Sequence, residues 1–328
     1  MRARALLPAL LAALALAGPA RAQEGSWVPG PPLPEARQEI YAEVFEGRIV
    51  TAGGFGMLGV PAASAWALDP EAGQWESLPP LPTPRHHVAL AAAGGRLYAI
   101  GGFTGLLPTW AATDEVLVLG PEGWEPAAPL PEPRGEAVTA VVDGRIHVIG
   151  GRVPSRPGAD RFDQHEDSAG HVIFDPATGA WSRGPEAPTA RNSAAGAVID
   201  GKIYIAGGRQ SGPAGMENIA ALEVYDPEAE RWQSRAPMPQ AQGGLAAAAL
   251  GGRLHVFGGE HFLPRSGVFA EAWSYDPAVN AWEALPPMPV PRHGLAAAAL
   301  GGRIWLIGGA TRPSFGAVRD VSAFTPPP

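Results

Sequence analysis

Residues 291–309 read PRHGLAAAALGGRIWLIGG. An alanine-rich run meets Gly301-Gly302, and the apolar run IWLI then ends in a second pair, Gly308-Gly309. Gly-Gly dipeptides tolerate the positive φ angles of a two-residue hairpin, so the two runs read as antiparallel strands joined at residues 301–302. An alanine-rich helix is the competing reading. It fails because a Gly pair follows directly and because the segment recurs. The strand-ending pair is also found at Gly53-Gly54, Gly101-Gly102, Gly150-Gly151, Gly207-Gly208 and Gly258-Gly259, after IVTA, LYAI, IHVI, IYIA and LHVF. The steps are 48, 49, 57, 51 and 50 residues, a period that marks a repeat architecture. Each apolar run follows a turn dipeptide: Glu46-Gly47, Gly94-Gly95, Asp143-Gly144, Asp200-Gly201, Gly251-Gly252 and Gly301-Gly302.

After each of the first five Gly-Gly pairs come a loop, a strand ending LDP, VLG, FDP, YDP or YDP, a second turn, and then Trp75, Trp124, Trp181, Trp232 or Trp282. The unit is a meander of four short strands. The sixth unit lacks its Trp, while Ser26-Trp27-Val28 near the N-terminus has one, followed by the same Pro-rich sequence. The N-terminal strand is therefore expected to complete the sixth sheet and close a ring. The expected fold is all-β, a six-bladed β-propeller. Its blades span 37–84, 85–133, 134–190, 191–241, 242–291, and 292–328 together with 23–36. Alanine suits the innermost strands (Ala89–Ala93, Ala246–Ala249, Ala296–Ala299) because strands near the axis are crowded. Residues 23–328 leave no room for a second domain.

Composition narrows the function classes. Gly and Pro make about a quarter of the 328 residues, yet 46% are hydrophobic and ten are Trp, enough for a core. No uncharged apolar run reaches the ~18 residues of a membrane-spanning helix. With 24 basic and 32 acidic side chains the net charge is −8, the wrong sign for nucleic acid. The absence of Cys removes disulfides, thiolate metal sites and Cys nucleophiles. Residues 1–22 read as a signal peptide: Arg2 and Arg4, the apolar stretch from Ala5 to Ala17, and Ala20-Arg21-Ala22 before a cut ahead of Gln23. A periplasmic or extracellular location and a monomer are expected.

The sequence resembles the kelch-repeat family, whose marks are an apolar strand ending in Gly-Gly, a Tyr-Asp-Pro, a following Trp and a Pro-Arg opening the next repeat. Pro84-Arg85, Ile203–Gly208, Tyr225-Asp226-Pro227, Trp232 and Pro291-Arg292 carry the resemblance. It implies the propeller strongly and function weakly.

Loops after Gly-Gly, and those leading into each inner strand, share one face. Sixteen residues before each Gly-Gly stand Arg37, Arg85, Arg134, Arg191, Gln242 and Arg292. Such a ring, pointing to the channel mouth, would make an anion site with fork geometry. Similar arginines in some kelch proteins line a pocket for acidic peptides, and elsewhere they hold loop carbonyls. His86, His87 and His293 adjoin the ring, as do Glu39 and Glu136. The histidines lack metal-ligand spacing, so no metal or cofactor is expected. The longest loop, 152–170, is rich in charge and reads as a solvated loop, with a cation site or lid as alternatives. Phe55, Met57, Phe103, Trp110, Phe262 and Phe269 add apolar surface to the loops. Tyr41 is the one Tyr outside the repeat positions.

The leading functional expectation is an exported binding protein, not an enzyme, for an anionic small molecule, a glycan or a protein partner. The alternative, drawn from the resemblance, is a carbohydrate enzyme of the sialic acid mutarotase (N-acetylneuraminate epimerase) type, with Glu39 or Glu136 moving a proton. A copper oxidase like galactose oxidase is rejected because its Cys–Tyr cross-link has no Cys here.

Overall fold

The computed structural model of the protein describes residues 25–212, 215–262 and 264–327, and the repeat in it forms six four-stranded antiparallel sheets. The turn dipeptides join the first two strands of each. Glu46 and Gly47, at φ 49° and 72°, link Ala42–Phe45 to Arg48–Ala52, as a hairpin turn with two positive φ angles requires. Ser26–Pro29 pairs antiparallel with Val321–Thr325, placing Trp27 opposite Phe324 and Val28 opposite Ala323. The N-terminal strand is thus the outer strand of the sixth blade and the ring is closed. The expected leader, residues 1–22, lies outside the described residues. Among the described residues no helix is long and apolar enough to cross a membrane.

The alanine-rich strands surround the axis. They enclose a channel of about 340 Å³ lined by Ala92, Ala140, Ala195, Ala247 and Ala297 among others. Glu43 supplies its one lining carboxyl among the described residues, and burial pushes that group up to about 7.

Each blade is tied to its neighbour through the repeat Trp. The indole Nε1 of Trp75, Trp124, Trp181, Trp232 and Trp282 donates to the carbonyl of Pro31, Pro79, Ala128, Pro185 and Ala236, at 2.8–3.0 Å. Trp27 does the same to Pro286 at 3.1 Å, so the closing strand reproduces the link of the other five blades. Six such bonds at about 1 kcal/mol each, on top of the buried ring area, fasten the Pro-rich segments to the sheets.

Candidate functional site

The ring expected to face the mouth faces inward instead. Arg37, Arg85, Arg134, Arg191, Gln242 and Arg292 are all buried. Each Gly-Gly bend turns its backbone through positive φ, and among the described residues the carbonyl of its first glycine meets no backbone donor. The ring side chains donate to them across sixteen residues: Arg85 to Gly101 O at 3.2 Å, Arg134 to Gly150 O at 3.2 Å, Arg191 to Gly207 O at 3.0 Å, Gln242 to Gly258 O at 2.6 Å and Arg292 to Gly308 O at 2.8 Å. Arg292 also reaches Asp320 O at 2.7 Å. Arg37 departs from the pattern, donating to Ala36 O and Ser64 Oγ and lying 5.2 Å from the Trp66 ring. The expected orientation is corrected: unpaired buried carbonyls are costly, and a guanidinium fork serves two at once. Burial pulls Arg85 and Arg292 down to about 10, still protonated at neutral pH.

Two residues further on, the chain builds a different ring. Fourteen residues before each Gly-Gly stand Glu39, His87, Glu136, Ser193, Gly244 and Gly294. All six have left-handed backbone, with φ between 49° and 67°. Gly adopts this freely, whereas a side-chain-bearing residue there is strained by roughly 1 kcal/mol or more. Backbone bonds pass from blade to blade along it: His87 N to Glu39 O (3.1 Å), Glu39 N to Gly294 O (2.7 Å), Gly294 N to Gly244 O (2.8 Å) and Gly244 N to Ser193 O (2.9 Å). Four of the six blades thus hold polar side chains where glycine is the relaxed choice. The ring encloses a neck of about 20 Å³, shared by Glu39, His87 and Tyr41, between the mouth and the alanine-lined channel.

These side chains join a charged circuit to which every blade contributes. His87 Nε2 lies 3.0 Å from Glu39 Oε2 and 3.8 Å from Glu136 Oε1. Ser193 Oγ donates to Glu136 Oε2 at 3.0 Å, and Arg209 donates to Ser193 Oγ at 3.3 Å and to Glu260 Oε1 at 2.8 Å. Glu260 Oε2 lies 3.4 Å from His293 Nε2, and His293 Nδ1 lies 3.3 Å from Glu39 Oε1, near enough for ion pairing though not aligned as a hydrogen bond. Burial alone would raise the Glu39 carboxyl, but His87 and His293 outweigh it and hold Glu39 well below the usual carboxylate range. Burial would lower His87 and His293. Glu39 and Glu136 pull His87 up, while Glu39 and Glu260 pull His293 up. Carboxylates and basic groups thus alternate around the circuit, a polar network suited to exchanging protons with something bound above it.

Aromatic rings share the mouth with these charges. Phe55, Trp110, Phe162, Phe262 and Phe315 line a mouth cavity of about 240 Å³ together with Glu39, His87, Glu136, Arg209 and Glu260. His86 packs behind these rings, not in a ligand set: it is fully buried and stacked on Phe55 at 3.8 Å. Burial drives its imidazole well below the ordinary value, hence neutral. The loop 152–170 is no loosely solvated strap. Arg152–Pro154 and His165–Asp167 form a hairpin, and its tip sets Phe162 edge-on to Trp110 at 4.9 Å, with Arg152 4.4 Å from the Phe162 ring. Asp167 accepts from Asn192 Nδ2 at 2.6 Å, so one of the loop's carboxylates is used in fastening it. Among the described residues no group of three or more His, Asp or Glu side chains is arranged to hold a metal ion.

Of the expected site residues, the structure brings His87 and His293 together through Glu39. Sequence reasoning missed Arg209 and Glu260. Their signal is register: Phe55, Phe103, Arg152, Arg209, Glu260 and Ala310 each follow a Gly-Gly directly. Each is bridged to the residue just after the buried ring, as Phe55 is to Gln38, Arg209 to Asn192 and Glu260 to Gly243. Blades one and two fill this register with Phe, blades three to five with charge.

Six meander sheets, a closing N-terminal strand and a mouth built from equivalent loop positions define a closed β-propeller of the repeat type. The family model described as the KLHDC2/KLHL20/DRC7 Kelch-repeats domain matches residues 158–326, and the Kelch motif matches 42–82. The chain belongs to the kelch-repeat family. It is 32% identical over 88 residues to the Kelch-like ECH-associated protein 1B of Danio rerio, covering 27% of this chain and 15% of that protein. It is 33% identical over 79 residues to the Beta-scruin of Limulus polyphemus, covering 24% of this chain and 8% of that protein. The chain thus matches only a small part of these relatives' length. A solved structure titled "Structure of YjhT" superposes with a TM-score of 0.75 at 18% identity, covering 89% of this chain and 95% of that one. That likeness speaks for the fold alone.

Proposed function

We propose that this kelch propeller binds one small polyhydroxylated molecule, of the carbohydrate class, in its mouth cavity. The observation that carries the reading is the meeting of aromatic rings and a hydrogen-bonding circuit in one cavity of about 240 Å³. That volume lies just below the ~300 Å³ where pockets for larger ligands begin, and suits a single sugar ring. The apolar face of such a ring packs on Trp110 and Phe315, and its hydroxyls meet Glu39, His87, Glu136 and Glu260. Among the described residues Arg209 is the one guanidinium lining the cavity, beside the His87 imidazole and three carboxylates. This balance favours a neutral ligand over the anion expected from the arginine ring.

One contact supports an enzymatic reading as well. His87 and Glu136, 3.8 Å apart on the cavity wall, supply a proton donor and an acceptor. With the imidazolium protonating a sugar's ring oxygen and the carboxylate taking the anomeric hydroxyl proton, the C1–O5 bond opens. The reverse transfers close it on either face, which is mutarotation without net consumption of any group.

Calorimetric titration with neutral hexoses, N-acetylhexosamines, hexuronic acids, inorganic phosphate and sulfate tests the binding reading. Heat with a neutral sugar, lost in Trp110→Ala, is expected. Binding of the anions alone would return the site to the arginine expectation. Anomer exchange followed by NMR tests the enzymatic reading, which fails if the protein leaves the rate unchanged.

We also propose export of a monomer, on the Arg2/Arg4, apolar and Ala20-Arg21-Ala22 pattern and on a ring sealed by its own N-terminal strand. N-terminal sequencing of the secreted protein should begin at Gln23.

A further inference from the structure

We propose that the mouth cavity is the terminal subsite of a longer groove, so that the ligand is the end of an oligosaccharide rather than a free monosaccharide. This rests on the sugar reading of the mouth given above. A second cavity, of about 600 Å³, opens on the same face and shares Met216 and Phe262 with the first. Met216 and Phe262 thus form a wall common to both. Phe262 faces both: the Arg209 guanidinium of the mouth circuit lies 5.5 Å from its ring.

The chemistry of the outer cavity repeats that of the mouth in a more open form. His261 and Phe269 pack with ring centroids 4.8 Å apart and planes tilted by 37°, giving an aromatic patch in the cavity lining. Beside it stand the side chains of Asn218 and Gln240, whose amides both donate and accept. Asn218 is held in place by its bond to Glu260 O at 2.7 Å, which couples the outer lining to a residue of the mouth. Gly267 leaves room for the patch, because a Cβ there would meet His261 Nε2 at 2.6 Å. Aromatic surface with flanking amides and no net positive charge matches a sugar ring better than a phosphorylated or strongly acidic chain. The outer cavity has more than twice the volume of the mouth, room for at least one further residue of a glycan.

The test titrates glucose, galactose and N-acetylglucosamine against maltotriose, cellotriose, galactotriose and chitotriose, on the wild-type chain and on His261→Ala and Gln240→Ala. Gln240 lies at the surface, so its variant keeps the experiment readable if the His261 variant folds poorly. The expected result is a trisaccharide bound at least tenfold more tightly than its monosaccharide. Both variants should lose that increment while keeping monosaccharide affinity. Equal affinity for a monosaccharide and its trisaccharide would overturn the groove and leave the mouth reading standing. Binding of none of these sugars would overturn both. Selection of a peptide that depends on His261 while the sugars stay silent would overturn both in favour of a protein partner.

Discussion

His87 Nε2 sits 3.0 Å from Glu39 Oε2, while the His87 amide donates to the Glu39 carbonyl at 3.1 Å, so neighbouring blades grip each other through one residue pair by backbone and side chain together. Both residues hold left-handed backbone at the neck of the channel. The pair is at once a joint of the ring and a wall of the site.

This pair makes stability depend on pH with a definite sign. His87 is pulled above its ordinary value of 6.5 by Glu39 and Glu136, against the opposing effects of burial and of Arg209. Its contribution is fully present below 6.5 and is lost as pH rises through the raised value. The melting temperature of wild type should therefore exceed that of His87→Gln at pH 6, with the gap narrowing by pH 9. A gap that does not change with pH would show that the imidazole is not charged in the fold.

Glu136 tests whether the polar ring exists for a ligand. Its φ of 59° suits glycine, so Glu136→Gly relieves roughly 1 kcal/mol of strain while removing a carboxylate from the cavity. The variant should melt within a few degrees of wild type, in either direction, yet give no sugar heat in calorimetry. A collapse in stability with ligand binding intact would reverse the assignment, making Glu136 structural.

Arg292 tests the opposite assignment. It is fully buried and serves Gly308 O and Asp320 O at 2.8 and 2.7 Å. Arg292→Met leaves both carbonyls without that partner and should cost about 3 kcal/mol in urea denaturation. Ligand affinity of the folded fraction should be unaltered. Lost affinity without lost stability would restore the arginine ring to the site.

The closing strand gives the clearest mechanical prediction. Trp27 pairs opposite Phe324, with ring centroids 4.7 Å apart, and bonds Pro286 O. Trp27→Ala should lower stability by about 3 kcal/mol, and a chain beginning at residue 30 by more. An unchanged urea midpoint in the shortened chain would mean that the seam does not hold the ring.

Much of the architecture was legible because it depends on local rules that repeat. Glycine pairs mark positive φ, short apolar runs mark strands, and Trp recurs where the outer strand meets the preceding link. The displaced Trp27 even disclosed the seam. The arginines were also visible, but their direction was not. Whether a side chain at the start of an inner strand points to water or into the blade depends on where unpaired carbonyls lie, and those of Gly101, Gly150, Gly207, Gly258 and Gly308 are sixteen residues away. The same limit hid Arg209 and Glu260, which hold ordinary loop positions until six blades bring them to one axis.

Sequence alone, then, determined the number of blades, their strands and the closure of the ring, since each follows from backbone preferences read within one repeat. Tertiary structure decided which polar side chains became frame and which became site. Glu39, His87, Glu136, Ser193, Arg209, Glu260 and His293 come from all six blades and meet only because the ring is closed. The altered acidities of Glu39, His87 and His293 are properties of that meeting, set by burial and by partners that lie far away along the chain.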